Sequence, residues 1–148
     1  MKRRNFILNS GLAFAGASSM NIFGNSILNT NDDFYISKRP NKNNRTFTSS
    51  AVEELILKLK KQISDPQLAW MFENCYPNTL DTTVDYEIIK KKHDTFIITG
   101  DIDAMWLRDS TAQVWPYLPL INKDDKLKNL VKGLINRQVK CILTDPYA

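Results

Sequence analysis

The residues most able to do chemistry lie in one run, Thr99-Gly100-Asp101-Ile102-Asp103-Ala104-Met105-Trp106-Leu107-Arg108-Asp109-Ser110. It holds three carboxylates, an arginine and a tryptophan, directly after the apolar stretch Phe96-Ile97-Ile98. Carboxylates and guanidinium groups give directional hydrogen bonds to hydroxyls, and an indole gives a flat apolar face. Together they suit a sugar ring. In an extended segment Asp101 and Asp103 point the same way. Arg108 can hold a carboxylate in a two-bond fork that fixes it to receive hydroxyls, and Trp106 or Trp115 can wall the apolar face of a pyranose.

The same residue types have structural uses. Asp101 and Asp103 can cap backbone N–H groups in a tight turn. Arg108 and Asp109 can form a structural ion pair, and Trp106 can be core. His93 is the single histidine, lies among lysines and reads as a surface residue, which excludes a histidine-rich metal centre. Met105 stands where an EF-hand loop needs an oxygen ligand, which disfavours calcium. No metal site is expected.

The elements that position this run follow from periodicity and punctuation. Ser50 and Glu53 make a capping box, followed by Val52, Leu55, Ile56, Leu59 and Ile63 at helical spacing to about Ser64. Asp65 and Pro66 open a second helix to about Cys75, broken at Pro77-Asn78. Leu80 to Asp94 is mixed, with residues 81–86 read as a loop lining a cleft and 95–99 as a short strand. Ser110 with Gln113 opens a helix that Pro116 and Pro119 shorten. Asp124 or Asp125 starts the last helix, which ends at Asp145-Pro146. Broad apolar faces suggest helices packed on several neighbours. Cys75 and Cys141 are the only cysteines and read as free buried thiols.

The remaining chain is of another kind. Lys2, Arg3 and Arg4 precede a Gly- and Ala-rich apolar stretch with no acidic residue before Asp32, the pattern of an export signal over residues 1–25. The paired arginines before Asn5-Phe6-Ile7 resemble a twin-arginine leader, so the twin-arginine export machinery is an expected partner and the location is expected to be periplasmic or extracellular. The apolar stretch is too short for a stable membrane span. Residues 26–50 are polar and turn-rich and read as a linker, leaving 51–148 as the folded part. A net charge of +4 without a dense basic stripe argues against nucleic-acid binding.

The run from Ile98 to Tyr117 resembles the signature of exo-α-1,6-mannosidases of glycoside hydrolase family 125, and the segments 134–138 and 144–148 resemble the next block of that family. The resemblance implies an all-α fold, the N-terminal part of an (α/α)6 barrel of about twelve helices that this sequence leaves incomplete. It also implies cofactor-free, metal-independent release of terminal α-1,6-linked mannose from a mannose-containing glycan, with inversion. Inversion needs an acid and a base carboxylate some 6.5–9.5 Å apart, and the resemblance places both downstream of this sequence, so no catalytic residue is expected here and the segment alone is expected to be inactive. Asp101, Asp103, Trp106, Arg108 and Asp109 are then implied in the subsite for the terminal mannose. The alternative is a small helical sugar-binding or interaction module without catalysis.

Overall fold

Two helix N-caps set the frame. Ser49 caps α1 (Ser50–Gln62), its hydroxyl accepting from the Val52 N–H at 3.4 Å. Asp124 caps α5 (Asp125–Thr144), accepting from the N–H groups of Lys126 and Leu127 at 2.9 and 3.2 Å. The cap of α1 is thus Ser49, one residue before the expected Ser50. The chain is described by a computed structural model that covers residues 35–100 and 104–147. The leader, Asp101, Asp103 and Ala148 lie outside the described residues.

Asp65 caps α2 (Pro66–Cys75) through the N–H groups of Gln67 and Leu68, with Pro66 in the first turn as the sequence indicates. A short α3 (Asn78–Thr82) follows. Residues 84–97 then form an antiparallel hairpin of β1 (Val84–Ile89) and β2 (Lys92–Ile97), with Val84 opposite Ile97 and Ile89 opposite Lys92. The two-residue turn Lys90-Lys91 has φ of 48° and 67°, the left-handed pair that a type I′ hairpin requires. The architecture is therefore mostly helical, with a two-stranded sheet that an all-α expectation did not include.

α4 (Leu107–Val114) begins four residues before the expected start, so Ser110 sits inside the helix, fully buried, instead of capping it. Pro116 and Pro119 convert the continuation into a 3₁₀ helix, Trp115–Leu120, because a helical proline lacks the N–H and crowds the preceding turn.

Residues 36–148 form one unit. Its core joins Val52 and Ile56 of α1, Leu80 of α3, Val84 and Ile97 of the hairpin, Val114 and Tyr117, and Leu127, Leu130 and Leu134 of α5. α5 lies across the hairpin. The Thr95 hydroxyl donates to the Leu130 carbonyl at 2.9 Å, and Asn136 Nδ2 donates to the His93 carbonyl at 2.8 Å. Gly133 faces β2 at the crossing. A Cβ there would overlap Thr95 Oγ1 and lie 3.0 Å from the backbone of Asp94 and Thr95.

The stretch read as a polar linker is hydrogen-bonded into this unit from Ile36 onward. The Ile36 carbonyl accepts from Trp70 Nε1 at 2.7 Å, and Lys38 N–H donates to Asn74 Oδ1 at 2.6 Å. Arg39 forks onto Asp81 at 2.7 and 3.1 Å and onto Glu53 at 3.0 and 2.5 Å. The side chains of Arg39 and Asp81 are only 5% and 2% exposed. Asp81, expected in a cleft-lining loop, is therefore a buried structural carboxylate.

Candidate functional site

β2 delivers the chain to the motif. Ile98 N–H donates to the Thr83 carbonyl at 3.0 Å, extending the hairpin by one bond. Thr99 then closes the loop that carries the acidic residues. Its N–H and hydroxyl both donate to the Ala104 carbonyl, at 3.0 and 3.1 Å, and its Oγ1 accepts from the Trp106 N–H at 2.9 Å. Gly100, with φ +92°, makes the turn a side chain would strain. A buried threonine therefore fixes both shoulders of the 100–105 loop.

Trp106 is the N-cap of α4 and offers no side-chain cap. The residue is 56% exposed, so the core reading does not hold. Trp115 is also exposed but does not line the same cleft. Arg108 extends into solvent and makes one ion-pair contact among the described residues, Nη2 to Asp109 Oδ2 at 3.5 Å. The expected two-bond fork is not formed with any described residue, and an exposed contact of this length contributes little to stability. Asp109 Oδ2 is out of water and, among the described residues, has that 3.5 Å ion-pair contact and no hydrogen bond.

These side chains form one wall of an open cleft of about 740 Å³, within the usual range for small-ligand sites. Ala104 to Asp109 make one side. Arg137, Lys140, Cys141, Ile142, Thr144, Asp145 and Pro146 make the other. The first motif and the second block, about thirty residues apart in sequence, thus face each other. Arg137 is held by Asp94, with Nε and Nη2 each 2.5 Å from Oδ1, and its guanidinium lies 5.6 Å over the Phe96 ring.

Sequence reasoning did not single out Arg137 or Lys140. The available signal was the four-residue step from Gly133 to Arg137, which puts both on the α5 face that meets the hairpin. His93 is half-buried, not a free surface residue. Its Nδ1 is 2.7 Å from the Tyr86 hydroxyl and the two rings stack at 5.9 Å. Cys75 and Cys141 are free, as read, but Cys75 is exposed and Cys141 half-buried at the cleft, so neither is a buried thiol. Among the described residues no group of three His, Cys, Asp or Glu could hold a metal ion, and no helix is long and apolar enough to cross a membrane.

Comparison with known proteins decides the affiliation. Residues 65–148, more than half the chain, match the family described as metal-independent α-mannosidase of glycoside hydrolase family 125. The chain belongs to glycoside hydrolase family 125. It is also 45% identical over 111 residues to the meiotically up-regulated gene 157 protein of Schizosaccharomyces pombe, an alignment that covers 74% of this chain and 22% of that relative. The chain spans about a fifth of the length of that curated relative. The family match runs from the cap of α2 through both walls of the cleft. Arg39 and Glu53 lie before it, so the buried ion network ties the matched span to the segment that precedes it.

Proposed function

We propose that this chain supplies the terminal-mannose subsite of an exo-acting α-1,6-mannosidase that releases mannose with inversion. The observation that carries the reading is the cleft itself: the exposed Trp106, the solvent-facing guanidinium of Arg108 and the Asp109 carboxylate beside it stand on one wall. They lie inside the span matched to a mannosidase family. Such a wall can stack a pyranose face and exchange hydrogen bonds with its hydroxyls. Asp101 and Asp103 belong to the same subsite on this reading. The acid and base carboxylates of an inverting mechanism, 6.5–9.5 Å apart, come from a different segment of the complete enzyme, in which the present helices are the first part of an (α/α)6 barrel. The 148 residues by themselves are inactive. The arginine pair Arg3-Arg4 supports export through the twin-arginine machinery to the periplasm or beyond.

The test is to incubate the complete protein with α-1,6-linked mannobiose and follow the product by NMR. Initial release of β-mannose is expected. Release of α-mannose contradicts inversion, and no release from this linkage contradicts the assignment.

A further inference from the structure

We propose that Gln138 is a positioning residue that sets the spacing of the two cleft walls and the aim of Arg108 and Asp109; this rests on the mannose-subsite reading. Gln138 lies on α5, between Arg137 and Lys140, which line the second wall. Its side-chain amide points instead at the first turn of α4. Nε2 lies 3.1 Å from the Leu107 carbonyl, 3.1 Å from Ser110 Oγ and 2.8 Å from Thr111 Oγ1. Two amide hydrogens thus serve three acceptors around one helical turn, and Arg108 and Asp109 are carried on that turn. Trp106, the N-cap residue, gives the turn no side-chain cap bond. The α5 side of the link is rigid, because the preceding residue Arg137 is anchored to Asp94 and Phe96 of the hairpin. Gln138, Ser110 and Thr111 do not line the cleft, so the glutamine acts on a sugar only through its neighbours.

Arg108 and Asp109 are assigned to hydroxyls of the terminal ring, so moving them weakens ground-state and transition-state binding alike. That raises KM and leaves kcat in place. The experiment compares wild type, Gln138→Met and Arg108→Ala in the complete protein with α-1,6-linked mannobiose. Hydrogen exchange of peptides covering 104–114 and 125–135 is measured in parallel. Methionine keeps the volume and removes the donor. The expected result is KM raised about tenfold with kcat within about twofold, faster exchange in 104–114 and unchanged exchange in 125–135. Unchanged KM or unchanged exchange in 104–114 overturns the proposal. Should Gln138→Met fail to fold, Thr111→Val removes the 2.8 Å acceptor together with that hydroxyl's own bond to the Leu107 carbonyl; a KM rise of about threefold is expected, and none overturns it. The Arg108→Ala arm separates the two claims. If it cripples activity while Gln138→Met does not, the positioning role alone fails. If it leaves activity unchanged, the subsite reading fails and the positioning role with it.

Discussion

Ser49 and Asp124, the N-caps of α1 and α5, are hydrogen-bonded to each other: the Ser49 hydroxyl donates to Asp124 Oδ2 at 2.6 Å. One carboxylate therefore serves two helix N-termini, with Oδ1 on the first turn of α5 and Oδ2 on the cap of α1. Both helices turn their positive ends toward it. The bond joins positions 75 residues apart in the sequence and fixes how α1 meets the helix that carries the second cleft wall.

This relationship has a pH signature. Burial pushes the Asp124 carboxyl up, but hydrogen bonds from Ser49 and from the N–H groups of Leu127, Ala51 and Lys126 outweigh it and hold the group below its ordinary value. Glu53 is likewise lowered, burial being outweighed by the Arg39 hydrogen bond and by the charges of Arg39, Arg45 and Lys42. A folded pKa below the unfolded one gives stability that is full above the unfolded value and lost as pH falls through the folded one. Stability should be level near neutrality and fall below about pH 4, the ordinary carboxyl range. Urea midpoints between pH 7 and 3 measure this. Asp124→Asn should flatten the acid limb, and an unchanged limb contradicts the role given to Asp124.

Gly133→Ala tests the crossing of α5 over β2. In an ordinary helix interior the change gains up to about 1 kcal/mol. Here the new Cβ meets Thr95 Oγ1 and backbone that is tied into the hairpin, so overpacking should dominate and cost about 1–3 kcal/mol. A lowered urea midpoint is expected; a raised one means that the helix can lift off the hairpin.

Asp81→Ala should be the most damaging single change in the ion network. It leaves the buried Arg39 guanidinium with Glu53 alone, and breaking one side of a buried pair typically costs about 3–5 kcal/mol. Adding Arg39→Met should recover much of the loss, because the stranded charge is then gone. Equal unfolding midpoints for the single and double variants would contradict a buried-charge origin.

The helices were legible in the sequence where caps and period agreed: Asp65 with Pro66, Asp124, and the apolar series of α1 and α5. β1 was not read as a strand, although Val84, Tyr86 and Ile88 alternate with Asp85 and Glu87. The missing signal was the turn, because Lys90-Lys91 holds two left-handed residues without glycine or asparagine. The start of α4 was misplaced because its N-cap is Trp106, which makes no side-chain cap bond and so leaves no capping signal in the sequence. Trp106, Arg108 and Asp109 stood out by residue type, and the fold places all three on one wall of a cleft. The opposite wall was not legible, since Arg137 and Lys140 join it only once α5 lies on the hairpin.

The hairpin turn gives a prediction with the opposite sign. Lys91→Gly removes the Cβ clash of a left-handed residue, a cost of about 1–2 kcal/mol, partly offset by the greater freedom of unfolded glycine. A small rise in the thermal midpoint is expected. A fall would show that Lys91 is not held in the left-handed region.

The most direct test of the central claim is kcat/KM of the complete protein on α-1,6-linked mannobiose, wild type against Arg108→Ala. Arg108 is 87% exposed in its side chain, so the substitution should move unfolding stability by no more than about 0.5 kcal/mol. Loss of its charged hydrogen bonds to sugar should lower kcat/KM by at least about tenfold. That fall with unchanged stability is the expected result. An unchanged kcat/KM would contradict the claim that this cleft receives the terminal mannose.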